Sequence, residues 1–348
     1  MIKIGILGST GYVGLELARL ISNHPEAEVI FLDSRSYENK SYSSIFPNMK
    51  KIIDAPCVSI NLEDEASLAG IDLLFCALPH GLSQKAVQTA YKLGIKVIDM
   101  SADFRIKSAP VYEEWYGVKQ EALKELDAAA YGLCELHREA IKKAEIIANP
   151  GCYPTSIILA LYPLLKEKAV DTETLVVDSK SGVSGAGRNL NDAILYGQCN
   201  ESVKAYSIGN HRHIPEIEQE LSLAAGEAVM LQFTPHLIPM TRGILSSIYF
   251  KNKKNMSDKD IEDIYKQYYS EEFFIRLLQQ GELPQTKAVY GTNYCDIGFK
   301  TDKRTNRIIL VSAIDNLVKG AAGQAVQNMN LLFNLKETTG LQLTPIWP

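Results

Sequence analysis

The chain has 348 residues, beyond the size at which a single hydrophobic core keeps growing, so two domains are expected. Its 46% hydrophobic and 22% charged content is that of an ordinary soluble globular protein and excludes disordered and fibrous classes. A net charge of -5, with no basic run longer than Lys251 to Lys254, excludes the electrostatic footprint of a nucleic-acid binder; no apolar run approaches membrane-spanning length, so no membrane partner is expected.

The first apolar run, IKIGIL (2–7), reads as a strand and passes straight into GSTGYVG (8–14), which leaves no signal-peptide pattern at the start. A helix near 12–22, EVIFLD (28–33), DLLFCAL (72–78), a helix near 82–93, KVIDMS (96–101), a helical stretch near 135–144 and EIIAN (145–149) follow. Continuous apolar strands alternating with helices predict a parallel sheet covered on both faces, a Rossmann-type domain over 1–150.

The glycine spacing in GSTGYVG is GxxGxxG rather than GxGxxG, yet it meets the same physical requirement. A tight turn brings backbone close to a pyrophosphate, and a helix N-terminus faces the negative charge. Gly8, Ser9, Thr10, Gly11, Tyr12, Val13 and Gly14 are therefore expected to bind a dinucleotide. At the end of the second strand, LDSRS sets Asp33, an acceptor for the ribose of NAD, against Arg35, a partner for the 2′-phosphate of NADP. With Ser34 and Ser36 flanking Arg35, NADP is the expected cofactor. Pro79 and His80, after the third strand, fall where loops border such a cofactor.

Six cysteines, at 57, 76, 134, 152, 199 and 295, lie no closer than eighteen residues, so neither a CxxC pair nor a zinc ligand set is available and no metal is expected. Reduced thiols and a cytoplasmic location are the expectation. One cysteine is placed unusually: in NPGCYPTS (149–156), Cys152 falls in the first turn of a helix whose apolar run is Ile157 to Leu165. Unpaired N–H groups and the positive end of the helix dipole stabilise a thiolate there.

After Cys152 the texture changes to long strand-like runs at 174–181, 229–237, 243–251, 294–301 and 307–315, the pattern of a mixed or antiparallel sheet with helices on one face. This predicts an α+β catalytic and oligomerisation domain over 151–316, with the helical pattern from Leu317 and the rest of 317–348 packing back on the first domain. Of six histidines, His24 and His137 read as surface positions. His211 and His213 flank Arg212 just before Pro215, which suits the first turn of a helix. Arg105, Arg188 and Arg212 are the candidates to hold phosphate and carboxylate groups, and the spacing assigns none of them. Gly182, Gly185 and Gly187 permit close backbone approach to a cofactor or substrate.

Taken together, GSTGYVG, LPHG (78–81), SADFR (101–105), NPGCYPT, SGVSGAGR (181–188), GNHRHIPEI (209–217) and KGAAGQAVQNMN (319–330) resemble the N-acetyl-gamma-glutamyl-phosphate reductase family. This is the arginine-biosynthetic branch of the aspartate-semialdehyde dehydrogenase-like group, and the resemblance spans essentially the whole chain. It implies NADPH-dependent reduction of an acyl phosphate to a semialdehyde, with Cys152 as nucleophile and His211 as acid/base, His213 being the alternative. It further implies cofactor contacts from Ser184, Gly185 and Asn316, substrate contacts from Arg105 and Arg212, and a homodimer or homotetramer. The chemistry is consistent on its own terms, because a thioester on Cys152 splits one difficult reduction into two easier steps. Aspartyl and aminoadipyl phosphates are the alternative substrates. A non-catalytic NADP-binding sensor is the alternative of another class, and would be expected to lack the cysteine or the histidine. A cysteine phosphatase needs an arginine six residues after its nucleophile, where this chain has Ile158.

Overall fold

The structure, a computed structural model, describes residues 1–347 and divides into two compact units. Residues 1–150 with 321–342 make unit 1; residues 151–320 with the segment from Leu343 make unit 2.

In unit 1, β1 (Ile2–Leu7), β2 (Ala27–Leu32), β3 (Leu73–Cys76), β4 (Lys96–Asp99), β5 (Ala130–Tyr131) and β6 (Ile146–Ala148) form one sheet in the order β2, β1, β3, β4, β6, β5. Every pairing is parallel. The unbroken apolar runs explain this: all four residues of β3 and all three of β6 are buried, as strands covered on both faces require. The order reverses direction on either side of β1, so the crevice beyond the carboxyl ends of β1 and β3 is the topological switch point, where ligands bind in open parallel sheets. The loops that begin at Gly8 and Ala77 both start there.

The last helix covers Gly323–Leu332 and is buried along its whole length despite its polar sequence. Its amide N–H groups donate within the protein: Gln324 Nε2 and Asn328 Nδ2 both donate to Gly132 O, at 2.9 and 2.8 Å, and Asn328 Nδ2 also donates to Asn149 Oδ1 at 3.0 Å. Asn330 Oδ1 lies 3.0 Å from His24 Nε2, so His24 is a buried histidine and not the surface residue its sequence context suggested. The helix is shorter than the pattern 317–335. Residues Val318–Ala322 form a π-turn, and Asn334 with φ of 54° stops the helix in the left-handed conformation. From Leu343 the chain belongs to unit 2, where Ile346 N donates to Tyr290 O (3.4 Å) and Lys287 Nζ lies 5.5 Å from the Trp347 ring. Residues 317–348 therefore do not all join unit 1, and Pro348 lies outside the described residues.

Unit 2 is built on β7 (Val176–Gly182), β8 (Lys204–Ala205), β9 (Gln232–Ile238), β10 (Ile244–Lys251), β11 (Ile275–Leu277), β12 (Cys295–Asp302) and β13 (Arg307–Ile314). These form one mixed sheet in the order β11, β12, β13, β10, β7, β9, β8. The helix Cys152–Lys166 packs on it through a chain of buried hydroxyls: Ser156 Oγ and Ser179 Oγ each lie 2.8 Å from Ser246 Oγ, and Ser312 Oγ donates to Ser156 O at 2.9 Å. Pro163 inside this helix removes the N–H that would bond Leu159 O, and Tyr269 Oη donates to that carbonyl instead at 2.8 Å.

The glycine loop yields the first test. A Cβ on Gly14 would stand 2.5 Å from Gly8 O and 2.6 Å from Ser9 Cα, both main-chain atoms that no rotamer change can move. Gly14→Ala is expected to destabilise the protein by about 1–3 kcal/mol, the usual cost of overpacking, and to weaken NADPH binding. Thermal melts with and without NADPH check both effects, and a wild-type response to the nucleotide would contradict the second.

Candidate active site

In unit 1 the turn after β1 is fixed by Gly8, whose φ of 70° and missing Cβ, 2.3 Å from Ala77 O if present, only glycine tolerates. The loop is then fastened to the end of β2. Ser9 N and Ser9 Oγ both donate to Asp33 O, at 3.0 and 2.9 Å, and Thr10 Oγ1 lies 2.8 Å from Ser34 Oγ. The helix Tyr12–Ile21 opens at Gly11 with no side-chain cap and no acidic residue in its first turn, which suits an anion.

Hydrogen bonding distinguishes Asp33 from Arg35. Asp33 is buried, its Oδ2 accepting from Gly8 N (3.2 Å) and its Oδ1 from Ile60 N (3.0 Å). The acidic group therefore shapes the loop, while Arg35, two residues on, is exposed. This arrangement fits a 2′-phosphate better than a bare ribose. The loop holding Pro79 is anchored by Asp103, whose buried carboxylate accepts from Gly81 N (2.7 Å), Ser83 N (3.1 Å) and Tyr112 Oη (2.7 Å). His80 Nδ1 accepts from Ala102 N at 3.1 Å, which gives this ring a bracing role. Next to Asp103, burial and that neighbouring charge hold the Asp99 carboxyl well above the ordinary carboxylate range. Arg105 is also buried, its Nε donating to Asn149 O (2.7 Å) and an Nη to Met100 O (2.8 Å). Asp103 was not singled out in the sequence, where it reads only as the middle of SADFR.

In unit 2 Cys152 is the first residue of its helix, with Gly151 as an N-cap that carries no side chain and no acidic residue in the first turn. It is partly exposed. Gly151 N donates to Glu216 Oε1 at 2.8 Å, and Glu216 is fully buried on the helix Ile214–Ala225 that follows the two histidines. The neighbouring Tyr153 ring meets His211 edge-on at 5.5 Å and His213 at 6.0 Å. Phe233 at 5.4 Å and Tyr206 at 5.6 Å complete an aromatic surround for His211. Tyr153 Oη and Tyr206 Oη lie 3.0 Å apart. Cys152, His211 and His213 are thus gathered about one tyrosine, and Arg212 between the histidines is exposed.

Burial first, and then the positive charge of Arg212, lowers the His211 pKa to about 4. The ring is neutral at pH 7. Its Nδ1 accepts from His213 N at 3.1 Å, so in the neutral ring the proton sits on Nε2, which is then a donor rather than an acceptor. The sequence could not reveal this tautomer. Asn316 is buried and braces the glycine-rich loop after β7: its Oδ1 accepts from Gly243 N (2.7 Å) and its Nδ2 donates to Ser184 Oγ (3.0 Å). Ser184, Gly185 and Asn316 are brought together, since a Cβ on Gly185 would lie 3.7 Å from Asn316 Nδ2. Arg188 is exposed at the end of that loop.

Residues 3–144 match the family model described as semialdehyde dehydrogenase, NAD binding domain, and residues 152–316 match semialdehyde dehydrogenase, dimerisation domain. The class that fold and site define is therefore that of the semialdehyde dehydrogenases. The chain is 64% identical to N-acetyl-gamma-glutamyl-phosphate reductase of Alkaliphilus metalliredigens and 50% identical to that of Lachnoclostridium phytofermentans, in each case over 100% of both chains. A crystal structure of aspartate semialdehyde dehydrogenase II from Vibrio cholerae, complexed with ASA, shares the fold at a TM-score of 0.71 and 21% identity, covering 96% of this chain and 98% of that one. The chain belongs to the N-acetyl-gamma-glutamyl-phosphate reductase family.

Two tests follow from the geometry. Arg35→Ala is expected to weaken NADPH binding by about 1.5–3 kcal/mol, the range for hydrogen bonds to charged groups, and to leave NADH binding unchanged. Fluorescence titration with both nucleotides reads this, and equal losses would remove Arg35 from the 2′-phosphate site. The second concerns pH. Because the His211 pKa is depressed in the folded state, the unfolded chain binds the extra proton between about pH 6.5 and pH 4, so this residue costs stability as pH falls through that window. His211→Asn should therefore be less acid-sensitive than wild type, by at most about 3 kcal/mol near pH 4. Urea unfolding at pH 7 and pH 5 measures the difference, and parallel losses in both proteins would exclude it.

Proposed function

We propose that this protein catalyses the NADPH-dependent reductive dephosphorylation of N-acetyl-gamma-glutamyl phosphate to N-acetylglutamate semialdehyde, through a thioester on Cys152, in arginine biosynthesis. The observation that carries the reading is Cys152 at the opening of an uncapped helix, with the adjacent Tyr153 in ring contact with both His211 and His213.

The helix N-terminus favours the thiolate of Cys152, which attacks the acyl carbon. The carbon–oxygen bond to phosphate breaks, and the proton lost from sulfur leaves with the phosphate by way of a histidine. His211 Nε2–H would donate a hydrogen bond to the developing charge, and His213, its ring 4.9 Å from that of His211, would be the histidine that carries the proton. NADPH, when bound, supplies the hydride that reduces the thioester. The backbone N–H of Cys152 and Nε2–H of His211 then hold the oxyanion until the carbon–sulfur bond breaks and the aldehyde leaves. Gly8 to Gly14, Ser34, Arg35 and Pro79 are the residues of unit 1 that would hold the dinucleotide; Ser184, Gly185 and Asn316 are the residues of unit 2 for which the family resemblance implies cofactor contact. Arg105 and Arg212 are the substrate-side guanidinium groups. Arg212 has the stronger support, being exposed between the two histidines, whereas the Arg105 hydrogen bonds described above go to main-chain carbonyls.

The active form we propose is a homodimer or homotetramer in the cytoplasm. The match to a dimerisation domain supports assembly, as do side chains of unit 2 such as Leu190 and Tyr196, which are 94% and 80% exposed. Six free cysteines suit a reducing compartment.

The experiment is phosphate-dependent reduction of NADP with N-acetylglutamate semialdehyde, run beside aspartate semialdehyde. A preference of about 100-fold or more for the acetylated substrate is expected, and equal rates would refute the substrate assignment. Cys152→Ser should abolish turnover, because serine is not ionised at neutral pH, while NADPH binding stays near wild type. Turnover retained in that variant would refute the thioester route.

A further inference from the structure

The segment Asp315 to Gly320 links several parts of unit 2. Asp315 Oδ1 accepts from Leu317 N (2.9 Å) and Val318 N (3.1 Å), and its Oδ2 from Gly291 N (2.8 Å), which fixes the entry to the π-turn Val318–Ala322. Asn316 holds Ser184 and Gly243, as described above. Gly320 N donates to Asp315 O at 2.9 Å, five residues back, and closes the turn. Single π-turns of this kind concentrate at functional sites.

Gly320 does not occupy the left-handed region, so the backbone there admits any residue. A glycine in such a turn is less favourable than alanine because it loses more conformational freedom on folding. The steric surroundings supply the reason for it. A Cβ at this position would lie 2.8 Å from Cys152 Cβ and 3.2 Å from Cys152 Cα, with Ile314 Cδ1 the third neighbour at 3.2 Å. Two of the three atoms belong to the residue that carries the thiol, and neither can rotate away.

We propose that Gly320 is a positioning residue for the nucleophile: the bare main chain of the π-turn sets where Cys152 Cβ sits, and with it where Sγ lies relative to the first N–H groups of the helix. The proposal rests on Cys152 being the nucleophile. Restoring an ordinary carbon–carbon contact would displace Cys152 by about 1 Å, and displacements of that size cost about 100-fold in rate when they misalign reacting atoms. They also weaken the helix-terminus stabilisation of the thiolate, which falls off within the first turn. A merely structural glycine would not change the ionisation of one thiol.

The test compares wild type, Gly320→Ala, Ile314→Val and the double variant as full-length protein. It measures steady-state rates, NADPH titration and the pH dependence of Cys152 alkylation by iodoacetamide, read by peptide mapping. Gly320→Ala is expected to lower kcat by about tenfold or more with KM changed less than about threefold, and to raise the alkylation midpoint by about half a pH unit or more. NADPH affinity should stay within about twofold, since no cofactor contact is removed. Ile314→Val, which takes away Cδ1 and gives the new methyl somewhere to go, should be near wild type alone and should restore part of both losses in the double variant. An unchanged alkylation midpoint in Gly320→Ala overturns the proposal, whatever happens to kcat. If Gly320→Ala does not accumulate folded, the double variant decides: a raised midpoint supports the proposal and a wild-type midpoint overturns it. Failure of the nucleophile assignment is separately visible, as turnover retained in Cys152→Ser.

Discussion

The arrangement of unit 2 around Cys152 depends on where one helix begins. The helix Cys152–Lys166 starts at Gly151, whose N–H is held by the buried carboxylate of Glu216, and that carboxylate lies on the helix directly following His211 and His213. One hydrogen bond of 2.8 Å therefore ties the Cys152 helix to the helix that follows the two histidines. The hydroxyls of Ser156, Ser179, Ser246 and Ser312 fasten the same helix to β7, β10 and β13, so its N-terminus is supported from below. A site that must hold a reacting atom to within a fraction of an ångström benefits from such over-determination.

Around that terminus the tyrosine and His211 rings stay uncharged. Burial, above the other causes, pushes the Tyr206 hydroxyl up to about 12 and the Tyr153 hydroxyl higher still, so both remain protonated donors. Burial likewise keeps His211 uncharged.

Unit 1 uses its acids differently. Asp33 and Asp103 each accept two or more backbone or hydroxyl hydrogens and shape the loops at Gly8 and Gly81. Buried carboxylates spent on loop N–H groups are justified where a loop must hold one conformation without secondary structure to support it. The same bonding explains why the presence of an aspartate at the end of β2 does not by itself indicate NAD.

The sequence by itself determined the alternation of apolar runs that forms the parallel sheet, the glycine turn after β1, the change of texture after Cys152 and the cysteine's place at a helix start. All of these are local, fixed by periodicity and by what glycine and proline permit. Short elements escaped: β5 and β8 have two residues each, and the polar sequence of the helix Gly323–Leu332 did not show that its amides are buried against Gly132 and Asn149. Only the tertiary structure decided the tautomer of His211, the engagement of Asp33, the burial of Arg105 and His24, and the contact of Gly320 with Cys152. Most of those depend on a partner far along the chain, 168 positions away in the last case, as the difference between 320 and 152, and the His211 tautomer on the turn that brings His213 N onto its ring. Hydrogen-bond direction and steric exclusion arise only when the fold brings such partners within a few ångströms.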